Sequence, residues 1–127
     1  MRPLALAIPL LLIFGACTTG KTVYTVEGQE KTLSPHTAFA QCLTEKGVKM
    51  YGASWCSHCQ NQKALFGEAW RDVTYIECAL PTGRGQTAAC QAAGIQAYPT
   101  WEFPDGSRQT GELTFKQLGE KSGCPVG

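Results

Sequence analysis

The segment Trp55-Cys56-Ser57-His58-Cys59 lies where an apolar run, Val48 to Ala53, gives way to a helical pattern, with Tyr98-Pro99-Thr100 further along. Two cysteines separated by two residues at a helix start can close a small disulfide. The free backbone N–H groups and the dipole of that helix end stabilise the thiolate of the first cysteine. The chain is therefore expected to feed a strand directly into a helix, with redox chemistry at the junction.

Reading outwards from that junction gives the rest of the fold. Ser34-Pro35 combines an N-cap residue with proline at the first helical position, and Gly47 stands where a C-terminal cap belongs. Phe39, Cys42 and Leu43 share one face of this first helix, so Cys42 is expected to face the core. After the Val48–Ala53 strand, the second helix carries Leu65, Phe66, Ala69 and Trp70 at helical spacing. Val73 to Cys78 reads as a second strand, and a Pro/Gly loop from Pro81 to Gly85 leads to a short helix from Gln86 to Ala93. Ile95–Phe103 and Ser107–Glu112 flank the turn signal Pro104-Asp105-Gly106, and a last helix runs from Thr114 to Lys121. Early strands joined through helices imply parallel pairing, and the final hairpin adds an antiparallel edge. The expected class is α/β, a mixed central sheet flanked by helices, over residues 34–127. Trp70 and Trp101 are expected in the core or on a sheet face, and His36 in solvent near a helix start.

The first sixteen residues read as a leader. Arg2 supplies the positive end, Leu4 to Phe14 is apolar, and the small pair Gly15-Ala16 precedes Cys17. This run is too short to span a bilayer as a mature helix. Small residues before a cysteine resemble the lipobox of bacterial lipoproteins, in which that cysteine becomes the lipidated N-terminus, although Phe14 stands where Leu is usual. The competing reading is an ordinary secretory signal cut near Ala16. Either way the domain is exported, and with Cys17 acylated it is held at the cell envelope, on its periplasmic or extracytoplasmic face. Residues 17–33 then form the lipidated N-terminus and a polar tether, with a short strand at Val23–Val26 as the alternative.

Of seven cysteines, giving Cys17 to lipid leaves an even set: Cys42, Cys56, Cys59, Cys78, Cys90 and Cys124. An even set suits an oxidising compartment, but six cysteines allow fifteen connectivities and the sequence does not choose among them. Eleven basic and ten acidic residues, a net charge of +1, favour neither nucleic acid nor a polybasic membrane patch. A monomer is expected.

Taken together, Trp55-Cys56-x-x-Cys59, Gly94-Ile95, Tyr98-Pro99-Thr100 and the hairpin with Gly111 resemble the thioredoxin superfamily. More narrowly, Tyr51 to Cys56, Gln60 to Phe66, Tyr75-Ile76-Glu77-Cys78, Cys90 and Tyr98 to Trp101 are similar to the thioredoxin-like domain linked to bacterial vitamin K epoxide reductase homologues. The resemblance implies that Cys56 is the exposed nucleophile and Cys59 the resolving thiol. It implies that His58 stabilises the thiolate, and that Pro99 is a cis-proline leaving the backbone at Tyr98 open to an extended substrate. Trp55 and Tyr98 would shape substrate access. It also implies a structural Cys78/Cys90 bridge, with Cys42 and Cys124 left to pair, although a redox relay through Cys78 and Cys90 stays open. The implied partners are protein thiols or disulfides and a membrane-embedded, vitamin K epoxide reductase-like quinone reductase. No metal or organic cofactor is required.

Two departures bear on direction. Ser57 replaces the proline many relatives carry, and Met50 stands where thioredoxin-type reductants place a buried carboxylate. With His58, these lean the expectation towards an oxidase or isomerase, with a potential of about −130 to −220 mV. The alternatives are a reductase serving envelope proteins, as in cytochrome c maturation, a lipoprotein binding metal through Cys56, Cys59, Cys78 and Cys90, and a redox-inert peptide-binding module.

Overall fold

The Ser34 hydroxyl accepts the Thr37 N–H, and Pro35 opens a helix (α1, Pro35–Glu45) that buries Phe39, Ala40 and Leu43. The structure is a computed structural model and describes residues 34–127. The leader, Cys17 and the alternative strand at Val23–Val26 lie outside those residues. Strand β1 (Lys49–Gly52) follows, then helix α2 (Ser57–Phe66) and a 3-10 helix (Gly67–Asp72) leading into β2 (Thr74–Glu77). A five-residue helix α3 (Ala88–Ala92), the hairpin strands β3 (Thr100–Glu102) and β4 (Arg108–Thr110), and helix α4 (Phe115–Ser122) complete the order.

The four strands form one sheet in the order β2-β1-β3-β4. Strand β1 runs parallel to β2 and antiparallel to β3, and β3 is antiparallel to β4, so the mixed sheet expected from the element order is present. Its core joins Met50 and Trp101 of the sheet to Phe39 and Leu43 of α1, Phe66 of α2 and Leu118 of α4, all essentially buried. Phe66 is the hub: its ring lies within 4.8–6.3 Å of the rings of Phe115, Trp70, Phe39 and Trp101. Trp101 is fully buried and Trp70 packs against the core, while His36 is exposed with its ring edge on Phe115.

Three expectations are corrected. The second helix does not continue to Trp70: Gly67 takes φ +56°, the α-helix ends at Phe66, and the 3-10 turn rotates Ala69 inwards while Leu65 stays 45% exposed. The expected strand Ile95–Phe103 shrinks to three residues, because Pro99 brings no N–H to a ladder. The short helix starts at Ala88 rather than Gln86, since Gln86 is taken by an isolated bridge to Ala79.

Candidate active site

Strand β1 ends at Gly52, and Ala53 begins a turn closed by the Cys56 N–H donating to its carbonyl at 3.0 Å. This turn makes Cys56 the N-cap of α2, in extended conformation. Its sulfur does what a capping serine or aspartate oxygen does elsewhere, accepting the Cys59 N–H at 3.2 Å. The sulfur therefore faces the positive end of the helix. Its other polar neighbour is the carbonyl of Tyr98, at 3.7 Å, so the cis Tyr98-Pro99 peptide lies directly opposite the cysteine pair.

Cys56 was expected to be exposed, and it is not: only 7% of it is accessible. The sulfur is turned onto the helix end and towards the Tyr98 carbonyl instead of into solvent, and attack on it requires a close, extended approach. Cys59, one turn further in, has no accessible surface. Burial, followed by its hydrogen bond with Cys56, pushes its thiol up to about 12, while the Lys63 ammonium acts in the opposite direction. The two thiols are unbonded, whereas Cys42–Cys124 and Cys78–Cys90 are disulfides. Cys42–Cys124 ties α1 to the segment after α4. Cys78–Cys90 holds α3 against the end of β2, across the Pro81–Gly85 loop. With Cys78 bonded to Cys90, a four-thiolate metal set with Cys56 and Cys59 is not assembled.

His58 is engaged by a carboxylate. Its Nδ1 lies 2.7 Å from Glu112 Oε1, and the Asn61 amide donates to the same oxygen at 3.1 Å. Glu112 reaches the first turn of α2 because Gln62, buried within that helix, holds the backbone of the next residue, Leu113, from both sides: Gln62 Nε2 donates to its carbonyl and Gln62 Oε1 accepts its N–H. The hydrogen bond from His58, then that from Asn61, holds the Glu112 carboxyl below its usual range. His58 thus meets solvent and a carboxylate, and its hydrogen bond is to Glu112.

Trp55, next to Cys56 in the chain, is 59% exposed and stands edge-on to the Tyr98 ring at 5.8 Å. The Tyr98 hydroxyl accepts from Gln86 Nε2 at 2.7 Å, which is what Gln86 does in place of opening α3. On the other side, Tyr75 of β2 approaches Cys59 across Gly52, and its hydroxyl donates to Glu77 Oε2. Sequence reasoning singled out none of Gln62, Gln86 and Glu112 for the site, and it used Tyr75 and Glu77 only as marks of resemblance. Gln62, Gln86 and Glu112 each act through a partner 12 or more residues away, so no local spacing signals them.

The helix-capped CxxC, the cis-proline opposite and the mixed sheet define a thioredoxin-like α/β fold carrying a dithiol site. Over 90 residues, 68% of this chain, the sequence is 41% identical to thiol-disulfide oxidoreductase LTO1 of Arabidopsis thaliana. The chain spans 24% of that relative's length. No protein-family model matches the chain.

Proposed function

We propose that this protein is a thiol-disulfide oxidoreductase acting on protein thiols through Cys56 and Cys59, exported and held at the envelope by lipid on Cys17. The observation that carries the reading is the Cys56 sulfur serving as acceptor at the N-terminus of α2, above a buried second thiol. The similarity to the thiol-disulfide oxidoreductase LTO1 supports the same chemistry.

In the oxidising direction a substrate thiolate attacks Cys56 in the Cys56–Cys59 disulfide. The S–S bond breaks and Cys59 leaves, taking a proton. A second substrate thiolate attacks the substrate sulfur of the mixed disulfide, releasing Cys56 as thiolate. The substrate has lost two electrons and the enzyme has gained them. Helix-end stabilisation of the Cys56 thiolate favours the reduced enzyme and hence an oxidising disulfide. A membrane quinone reductase of the vitamin K epoxide reductase type would withdraw the electrons, and a lipid anchor would keep both proteins in one plane.

The test is the equilibrium potential of Cys56/Cys59 in glutathione buffers, with trapped species resolved by mass. A value of about −130 to −220 mV is expected for an oxidase or isomerase, and one near −270 mV would reverse the assigned direction. The anchor is tested separately: Cys17→Ser should move the chain from the membrane fraction to the soluble one.

A further inference from the structure

A buried resolving thiol needs somewhere to put its proton. Thioredoxin-type reductants use a carboxylate on the strand before the CxxC, but here that position is Met50, fully buried in the apolar core. The neighbouring strand supplies polar groups instead. Met50 is in register with Tyr75, and Gly52 with Glu77. Because Gly52 has no side chain, the Tyr75 ring lies over it: a Cβ at Gly52 would meet Cys59 Sγ at 3.0 Å and the Tyr75 hydroxyl at 3.2 Å. The sulfur and the hydroxyl thus border one small space, within about 6 Å of each other, the reach of a single bridging water. Tyr75 in turn donates to Glu77 Oε2 at 2.9 Å. The other carboxylate oxygen, Oε1, is fixed by the Ser54 and Ala79 N–H groups at 3.0 and 2.9 Å.

We propose that Tyr75 and Glu77 form the proton relay of the Cys59 thiol, in place of the absent carboxylate. The inference rests on Cys56 and Cys59 being an exchanging pair. During resolution of a mixed disulfide at Cys56, the Cys59 proton passes to the Tyr75 oxygen as the Tyr75 proton passes to Glu77. The Cys59 thiolate then attacks Cys56, the Cys56–substrate bond breaks, and the leaving thiolate carries the electron pair away. In the opposite direction the same proton returns as Cys59 leaves the disulfide.

The surroundings suit a shuttle. Burial, then the bond to Glu77, holds the Tyr75 hydroxyl far above its usual range, so it passes a proton on without storing charge. The titratable or charged groups facing this pocket are Cys56, Cys59 and Lys63 from α2 and Glu77 from β2, while the 3-10 helix contributes the uncharged Trp70. Lys63 Nζ sits 3.9 Å from the Tyr75 ring centroid and favours negative charge on Cys59.

The test follows mixed-disulfide formation and decay at Cys56 when the reduced chain meets glutathione disulfide, by rapid quench and mass, across pH. Tyr75→Phe keeps the ring and its packing on Trp70 and Lys63 but removes the hydroxyl. Glu77→Gln keeps an acceptor for Ser54 and Ala79 but removes the base. Both variants should slow decay at pH 7 by about tenfold or more. The deficit should close at high pH, where hydroxide replaces the relay, while formation of the mixed disulfide stays within about twofold of wild type. Wild-type decay in Tyr75→Phe, or equal slowing of both steps at every pH, overturns the relay. A wild-type chain that forms no mixed disulfide overturns the exchanging-pair reading, and the relay with it.

Discussion

Gly52→Ala is the substitution that most directly tests the packing behind Cys59. Gly52 does not adopt a positive φ, so alanine fits the backbone, and on that ground alone the change would stabilise the protein by about 0.4–1 kcal/mol through reduced freedom of the unfolded chain. Against this, the new methyl would lie 2.8 Å from Tyr75 Cε2 and 3.0 Å from Cys59 Sγ. Neither neighbour is the free end of a flexible chain. The Tyr75 ring is held by Trp70 at 5.6 Å, by Lys63 over its face and by the hydroxyl bond to Glu77, and Cys59 is inside a helix. Overpacking against such neighbours costs about 1–3 kcal/mol, so the clash wins and the net loss is about 1–2 kcal/mol. With a urea m-value of roughly 1–1.5 kcal/mol/M for a domain of this size, the midpoint should fall by about 1 M. In a Tyr75→Leu background two of the three close contacts disappear, and the penalty should shrink by an amount measurable as a coupling energy. A Gly52→Ala protein as stable as wild type would refute the claim that the ring and the sulfur fill this space.

The two disulfides should differ in worth. Removing Cys78–Cys90, which closes a separation of 12 residues, should cost about 3 kcal/mol, and removing Cys42–Cys124, with a separation of 82, about 4.5 kcal/mol, read by guanidinium unfolding of the paired alanine variants. On the sheet face, burial alone would raise the Glu102 carboxyl, but hydrogen bonds from Lys49 and Arg108 hold it below its ordinary 4.5, and the bond to Glu102 raises Lys49 above its ordinary 10.5. The depressed acid contributes above pH 4.5 and loses its contribution as pH falls through the folded value. The raised base contributes below pH 10.5 and loses its contribution as pH rises through the folded one. Because Lys49 and Arg108 are each about a third exposed, the cluster is worth about 1 kcal/mol or less. Glu102→Gln should flatten both flanks of the stability–pH curve, and unchanged flanks would contradict this.

What could be read from the sequence was local. Ser34-Pro35 announces α1 because capping and the proline ring act within one turn. Thr114 begins α4 for the same reason, its hydroxyl accepting the Gln117 N–H while the Gln117 side chain returns to the Thr114 N–H. The Cys56-x-x-Cys59 signal is equally local, since one helical turn brings Cys59 N–H onto the Cys56 sulfur. The misread stretches are those where two local signals compete. Where α2 ends, the spacing of Phe66 and Ala69 suits a 3-10 turn as well as an α-helix, and Gly67 decides between them. In Ile95–Phe103 the apolar composition favours a strand, but Pro99 cannot donate to one.

The site's supporting residues were illegible for another reason: their partners are set by register, not by sequence distance. Along β1 alone, Met50 stands where a proton acceptor is missing. In a parallel pair, however, the residue beside Met50 on the sheet is Tyr75, and removing the side chain at Gly52 lets that ring reach the face a longer residue on β1 would have covered. Likewise the place of His58 between the two cysteines gives no sign of Glu112, which Gln62 and Leu113 bring to its Nδ1 from 54 residues away. A polar group is placed at this dithiol by whichever neighbouring element the fold brings alongside. The function of position 50 therefore has to be sought at position 75.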